Sequence, residues 1–241
     1  LLKTYVFLAV VWCLGILAPA VAHAEQTMAC PAGTYDMLDW FTLDSDIRWG
    51  YHMVGNTNPM YTQLDAGKFS WTKTGAGFPW DIQLYDNSYI YLWITEYSWS
   101  DKYTYKKFNG SGIPLAPRCA RPGTPGSTIT VSDTTYEIHT SCNSYSVHSL
   151  GKSVNEVWGP YYMSFGGSLP PNMKTLVVSY RYNCDANYNN CGDKEAYYLS
   201  QRYGVVQWEH SRLLNGKYVL DQRSTFNNVV KGAVAVDFPC F

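Results

Sequence analysis

Apolar and polar residues alternate along most of this chain with a period of two, and helical spacing is nearly absent. The segments 47–54, 68–73, 80–85, 89–96, 128–132, 135–140, 160–165, 174–182, 203–213, 217–224 and 232–237 read as strands, divided by clusters of Gly, Pro, Asn and Asp. Only 35–41 and 193–199 suggest short helices. Many short strands with turn signals between them predict an all-β chain, a disulfide-stapled antiparallel sandwich or jelly roll with little helix.

The first residues break the pattern. LLKTYVFLAVVWCLGILAPAVAHA has one early cation, Lys3, an apolar run to about Leu17, and small residues ending Ala22-His23-Ala24. That is the layout of a secretory signal peptide over 1–24, cut before Glu25. The run is short for a membrane span. Residues 25–241 then form a single β domain. The Pro- and Gly-dense stretch GSGIPLAPRCARPGTPGS (110–127) reads as a long surface loop pinned by Cys119, or as an internal boundary.

Export changes how the cysteines are read. Cys13 leaves with the leader, and the remaining six suggest three disulfides, with fifteen pairings open. Cys184 and Cys191 lie close enough to close one loop. A Cys30–Cys240 bridge would tie the ends together, which leaves Cys119 with Cys142. No CxxC pair favours zinc instead. With 18 Lys and Arg against 19 Asp and Glu, the chain has no basic field for a phosphate backbone, so no nucleic acid partner is expected. No second apolar run follows the leader, so no membrane span is expected after cleavage. The expected location is secreted, extracellular or periplasmic.

Two hairpins offer candidate chemistry. In PWDIQLYDNSYIYLWITE (79–96), a three-residue loop at Asp86-Asn87-Ser88 pairs Tyr85 with Tyr89. Asp81, Gln83 and Tyr85 then share one face with Tyr89, Tyr91 and Trp93. Aromatic rings cover the C–H face of a pyranose while a carboxylate and an amide bond its hydroxyls, so Asp81, Gln83, Tyr89, Tyr91 and Trp93 are candidate glycan-binding residues.

The second hairpin, VVQWEHSRLLNGKYVLDQRS (205–224), turns at Asn215-Gly216, a type I′ signal. This register sets His210 opposite Asp221 and lines Trp208, His210 and Arg212 up with Asp221 and Arg223. His210 is a candidate base, Asp221 its orienter, and Arg212 or Arg223 the neutraliser of a substrate carboxylate, as a polysaccharide lyase needs. Trp208 joins the candidate binding residues. A glycoside hydrolase would need two carboxylates in one groove, and the first hairpin does not present them on one face.

CDANYNNCGDKE (184–195) places Asp185, Asn187 and Asn189 at alternate positions, a partial match to a calcium loop that lacks its Gly and its closing Glu. Calcium is the one cofactor suggested. No G-x-S-x-G, H-E-x-x-H or G-x-G-x-x-G occurs, which lowers serine-hydrolase, zincin and dinucleotide chemistry. The expected function is binding of an extracellular polysaccharide on an aromatic sheet face. The alternatives are a polysaccharide-cleaving enzyme and a non-catalytic cell-surface protein.

Overall fold

A computed structural model of the protein describes residues 29–42, 52–54, 59–65, 68–73, 79–96 and 104–228. The expected leader, the expected strand at 232–237 and most of that at 47–54 lie outside these residues. In chain order the elements are β1 (Tyr35–Asp36), α1 (Leu38–Phe41), β2 (His52–Val54), β3 (Pro59–Asp65), β4 (Lys68–Lys73), β5 (Pro79–Tyr85), β6 (Tyr89–Glu96), β7 (Tyr105–Phe108), β8 (Ile113–Pro117), β9 (Cys119–Ala120), β10 (Gly123–Ser141), β11 (Ser144–Met163), β12 (Met173–Cys184), β13 (Cys191–Ser200), β14 (Gly204–Leu214) and β15 (Lys217–Asn228). The class is as expected: all-β and antiparallel, with one four-residue helix among the described residues. None of their helices is long and apolar enough to cross a membrane.

Thirteen strands form one sheet whose order follows the chain, a meander from β3 through β7 and then β10 to β15, with β2 added beside β15 and β8 beside β6. The sheet folds back on itself. Ile90 and Leu92 of β6, Phe108 of β7 and Ile113 and Leu115 of β8 share one core with Val157, Leu176, Val178, Leu199, Val205 and Val206 of β11 to β14. Met37, Leu38, Trp40 and Phe41 close that core from the α1 side.

A small latch holds α1 there. Asp36 accepts the Leu38 N–H at 3.0 Å and takes the Arg118 guanidinium at both carboxylate oxygens. β1 pairs with β9, and Cys30 is bonded to Cys119 across that pair. This corrects the expected termini bridge: Cys30 pairs with Cys119 and not Cys240, so Cys119 is not bound to Cys142. Cys142 is itself disulfide-bonded. The Cys184–Cys191 bridge forms as expected.

Three other expectations change. The 110–127 stretch is not a surface loop throughout, because Ile113, Leu115 and Ala116 are fully buried on β8. Its prolines fit a strand that pairs only with β6 among the described residues. The expected helix at 193–199 is strand β13, since cross-strand partners on both sides outweigh weak local periodicity. The strands expected at 128–132 and 135–140 merge into the single long β10, paired with β11 along its length.

Candidate functional site

Strands β12 to β14 send side chains alternately to two faces, and each face carries a polar network. On β13, Asp193, Glu195, Tyr197 and Leu199 point to the core side. The register places Glu195 between Tyr180 and His210, Tyr197 between Val178 and Trp208, and Asp193 between Tyr182 and Arg212. The inner face therefore grades from apolar at Leu199 to polar at Asp193.

Glu195 is the hub of the polar end. Its Oε2 accepts the Tyr197 hydroxyl and the Trp208 indole N–H, each at 3.1 Å, and its Oε1 accepts the Tyr182 hydroxyl at 3.4 Å. Burial pushes the Tyr180, Tyr182 and Tyr197 hydroxyls well above their usual pKa, and the Glu195 charge adds to each shift. These hydroxyls thus stay protonated. Lys106 of β7 reaches the same region: burial lowers its pKa, partly offset by Glu195 and Asp193. β5 turns Gln83 toward the same interior, opposite the core residue Leu92.

His210 lies across from Glu195 on β14. Its Nδ1 faces Asp221 Oδ2 at 3.1 Å, and its Nε2 faces Asp193 Oδ1 at 3.4 Å. Arg212 Nε lies 3.2 Å from the same Asp221 oxygen, and Trp208 stacks beside the imidazole. The expected His210–Asp221–Arg212 grouping is therefore formed, though by a different register. A bulge between His210 and Ser211 sets His210 opposite Gln222, with Asp221 as the extra residue. The same bulge removes Arg223 from the group. Arg223 pairs across from Glu209 on the other face and donates to it at 2.7 Å.

That other face holds an open groove of about 560 Å³ lined by Trp158, Tyr161, Tyr162, Met163, Val177, Ser179, Lys194 and Tyr198. A bulge in β11 shapes it: β11 carries one extra residue between the pairs Trp158–Val177 and Tyr161–Thr175. Gly159 sits there at φ +109°, and a Cβ would come 2.9 Å from the Thr175 carbonyl oxygen. The kink brings Trp158, Tyr161 and Tyr162 to one groove. At its borders are two ion pairs. Arg181 meets Glu156 at 3.0 Å, with the Trp158 N–H donating to the same carboxylate, and Arg223 meets Glu209, which also accepts the Tyr198 hydroxyl at 2.8 Å.

The 79–96 hairpin does not present the face its sequence suggested. The Asp86 carboxylate accepts the N–H groups of Ser88 and Tyr89, and the Asp86 N–H donates to the Tyr89 carbonyl. The loop is therefore one residue longer, and Tyr85 opposes Ile90. A one-residue slip exchanges faces. Asp81 and Gln83 turn inward, 2% and 0% exposed, and Gln83 lies opposite the core residue Leu92. Tyr91 opposes Leu84, its hydroxyl donates to Asp86, and burial, with that bond, pushes its pKa up to about 12. Tyr89 meets Tyr91 edge-on, and Trp93 packs against Ile82, Ile94 and Tyr105.

In the calcium candidate, the Asp185 carboxylate closes its own loop. One oxygen accepts the Asn187 and Asn189 N–H groups and the other the Asn190 side-chain amide. No group of three or more His, Cys, Asp or Glu side chains suited to a metal occurs among the described residues.

Sequence reasoning missed Glu195, Lys106, Tyr180, Tyr182 and Tyr197 on the inner face, and Trp158, Tyr161, Tyr162 and Tyr198 on the other. The signal was present in DKEAYYL, where every second residue, Asp193, Glu195, Tyr197 and Leu199, grades from charged to apolar along one strand face. Reading that run as a helix hid it. The chain matches no protein-family model, no curated protein and no solved structure.

Proposed function

We propose that this protein is exported and binds a polysaccharide in the groove between β11 and β13. The observation that carries the reading is the cluster of Trp158, Tyr161, Tyr162 and Tyr198 around one open groove of about 560 Å³. Flat rings with polar tips suit the C–H faces and hydroxyls of successive sugars, and Ser179, Lys194 and the flanking carboxylates and guanidinia supply hydrogen-bonding groups at the edges. The leader and the disulfides support a location outside the cytoplasm. Binding, and not cleavage, is proposed because His210, the candidate base, has both ring nitrogens against carboxylates and none turned to a substrate.

The test is retention on a panel of insoluble and soluble polysaccharides, with release of reducing or unsaturated ends followed in parallel. The expected outcome is depletion of protein from solution with no new ends. Tyr162 is 67% exposed, so Tyr162→Ala should abolish retention and leave the melting temperature unchanged. Retention that survives Tyr162→Ala and Trp158→Ala would move the site elsewhere, and new ends would make the protein an enzyme.

A further inference from the structure

We propose that the polar end of the inner face, around Glu195 and Tyr180, is a second binding site that takes one neutral polyhydroxylated molecule of the pyranose or cyclitol class. It lies on the opposite face of the same strands from the groove and rests on separate observations.

The first observation is two buried groups left without partners. The Tyr180 hydroxyl, on a side chain only 3% exposed, has no hydrogen-bond partner among the described residues. Tyr180 is the cross-strand neighbour of Glu195 and shares its face. On β5, Gln83 lies opposite Leu92, which shares one core cluster with Tyr180, so both residues face the same interior. Gln83 is fully buried, and both atoms of its amide are unpartnered among the described residues. Buried polar groups are nearly always paired, so two such residues facing one interior point to a partner from outside the chain.

The remaining groups define that partner. Glu195 Oε1 has only the 3.4 Å contact from Tyr182 among the described residues, so a carboxylate able to accept about four bonds keeps capacity there. Lys106, two positions from the core residue Phe108 on β7, shares its inward face, with its ammonium over the Tyr136 ring at 5.6 Å. Tyr180 and Tyr182 stack at 4.9 Å and, with Trp208, present rings beside the carboxylate. A ligand must donate to Glu195 and both donate to and accept from Tyr180 and Gln83. Hydroxyl groups do both. The carboxylates of Asp193 and Glu195 repel an anion, and the unpartnered Tyr180 hydroxyl and Gln83 amide call for groups that both donate and accept, which a polyol supplies.

The test measures the melting temperature of the oxidised protein with methyl glucopyranosides, methyl galactopyranosides and myo-inositol, in wild type, Tyr180→Phe, Glu195→Gln and Tyr162→Ala. At a hundredfold excess over Kd, the matching polyol should raise the wild-type value by about 5–11 °C. Tyr162→Ala should keep this rise, while Tyr180→Phe and Glu195→Gln should lose it. Comparison across variants cancels the general effect of sugars as excluded solutes. Without ligand, Tyr180→Phe should melt at or above the wild-type temperature, because it removes an unmade hydrogen bond. A lower melting temperature for ligand-free Tyr180→Phe would show an internal partner and overturn the proposal. An absent wild-type response, or one lost in Tyr162→Ala but kept in Tyr180→Phe, would overturn it too. Loss of polysaccharide retention alone would bear only on the groove.

Discussion

Replacing Glu195 with Ala removes the acceptor of three hydrogen bonds at once. Two of them, from Tyr197 and Trp208, are 3.1 Å long, and the third, from Tyr182, is a weaker 3.4 Å. A hydrogen bond to a charged group contributes about 1.5–3 kcal/mol, so the two short ones together contribute about 3–6 kcal/mol. Deleting a half-buried carboxylate recovers part of its desolvation cost, which leaves an expected loss of about 2–4 kcal/mol. In a domain of this size that lowers the melting temperature by roughly 4–16 °C. Tyr197→Phe, at a residue 1% exposed, should cost about 1–2 kcal/mol by losing the hydroxyl alone. Urea denaturation of both single variants and the double variant closes the cycle. The double variant should cost clearly less than the sum, with a coupling of at least about 1 kcal/mol. Strict additivity, or a Glu195→Ala effect within about 0.5 kcal/mol as at an ordinary surface position, would refute the hub. The contrast with Tyr180→Phe is the sharper check, since two tyrosines flanking one carboxylate should respond with opposite signs.

Gly159→Ala should destabilise by about 1–3 kcal/mol and weaken polysaccharide retention, because a side chain at φ +109° is strained and its Cβ meets the Thr175 carbonyl; denaturation and retention assays read both. Loss of the Cys30–Cys119 bridge, spanning 89 residues, should cost about 4–5 kcal/mol, against about 2 kcal/mol for Cys184–Cys191, spanning 7, by loop closure alone; Ser replacements compared by calorimetry decide the order. At Asp86, burial acts to raise the carboxyl pKa, but the N–H groups of Tyr89 and Ser88, the Tyr91 hydroxyl and Arg118 outweigh it and hold the value below the usual one. A depressed folded pKa stabilises at neutral pH and is lost as pH falls through it, so Asp86→Asn should cost stability at pH 7 and nothing under strongly acidic conditions. A difference that persists unchanged into acid would contradict that assignment.

The alternation of polar and apolar residues was enough to name the class and most strands, because a period of two survives wherever one face is buried. Asn215 and Gly216 carried the type I′ turn outright: both have positive φ, at 51° and 76°, as that turn requires. The Cys184–Cys191 bridge was equally legible, since seven residues of chain leave those sulfurs little distance to cover. Local chemistry decided these features, and local chemistry is what a sequence displays.

Registers and long-range partners were not legible, and the candidate sites depend on them. The Asp86 turn lengthened one loop by a residue and carried Asp81 and Gln83 from an expected open face into the interior. The bulge after His210 kept Asp221 within reach of the imidazole but sent Arg223 to Glu209. Each shift follows from where neighbouring strands take their hydrogen bonds, and no single strand encodes that. The sequence by itself determined an exported, disulfide-bearing, aromatic-rich β chain as the expectation, with its strands and tight turns. Only the tertiary structure decided which face each aromatic ring and carboxylate occupies, because folding the sheet back on itself packs residues far apart in the chain and makes one side core and the other groove.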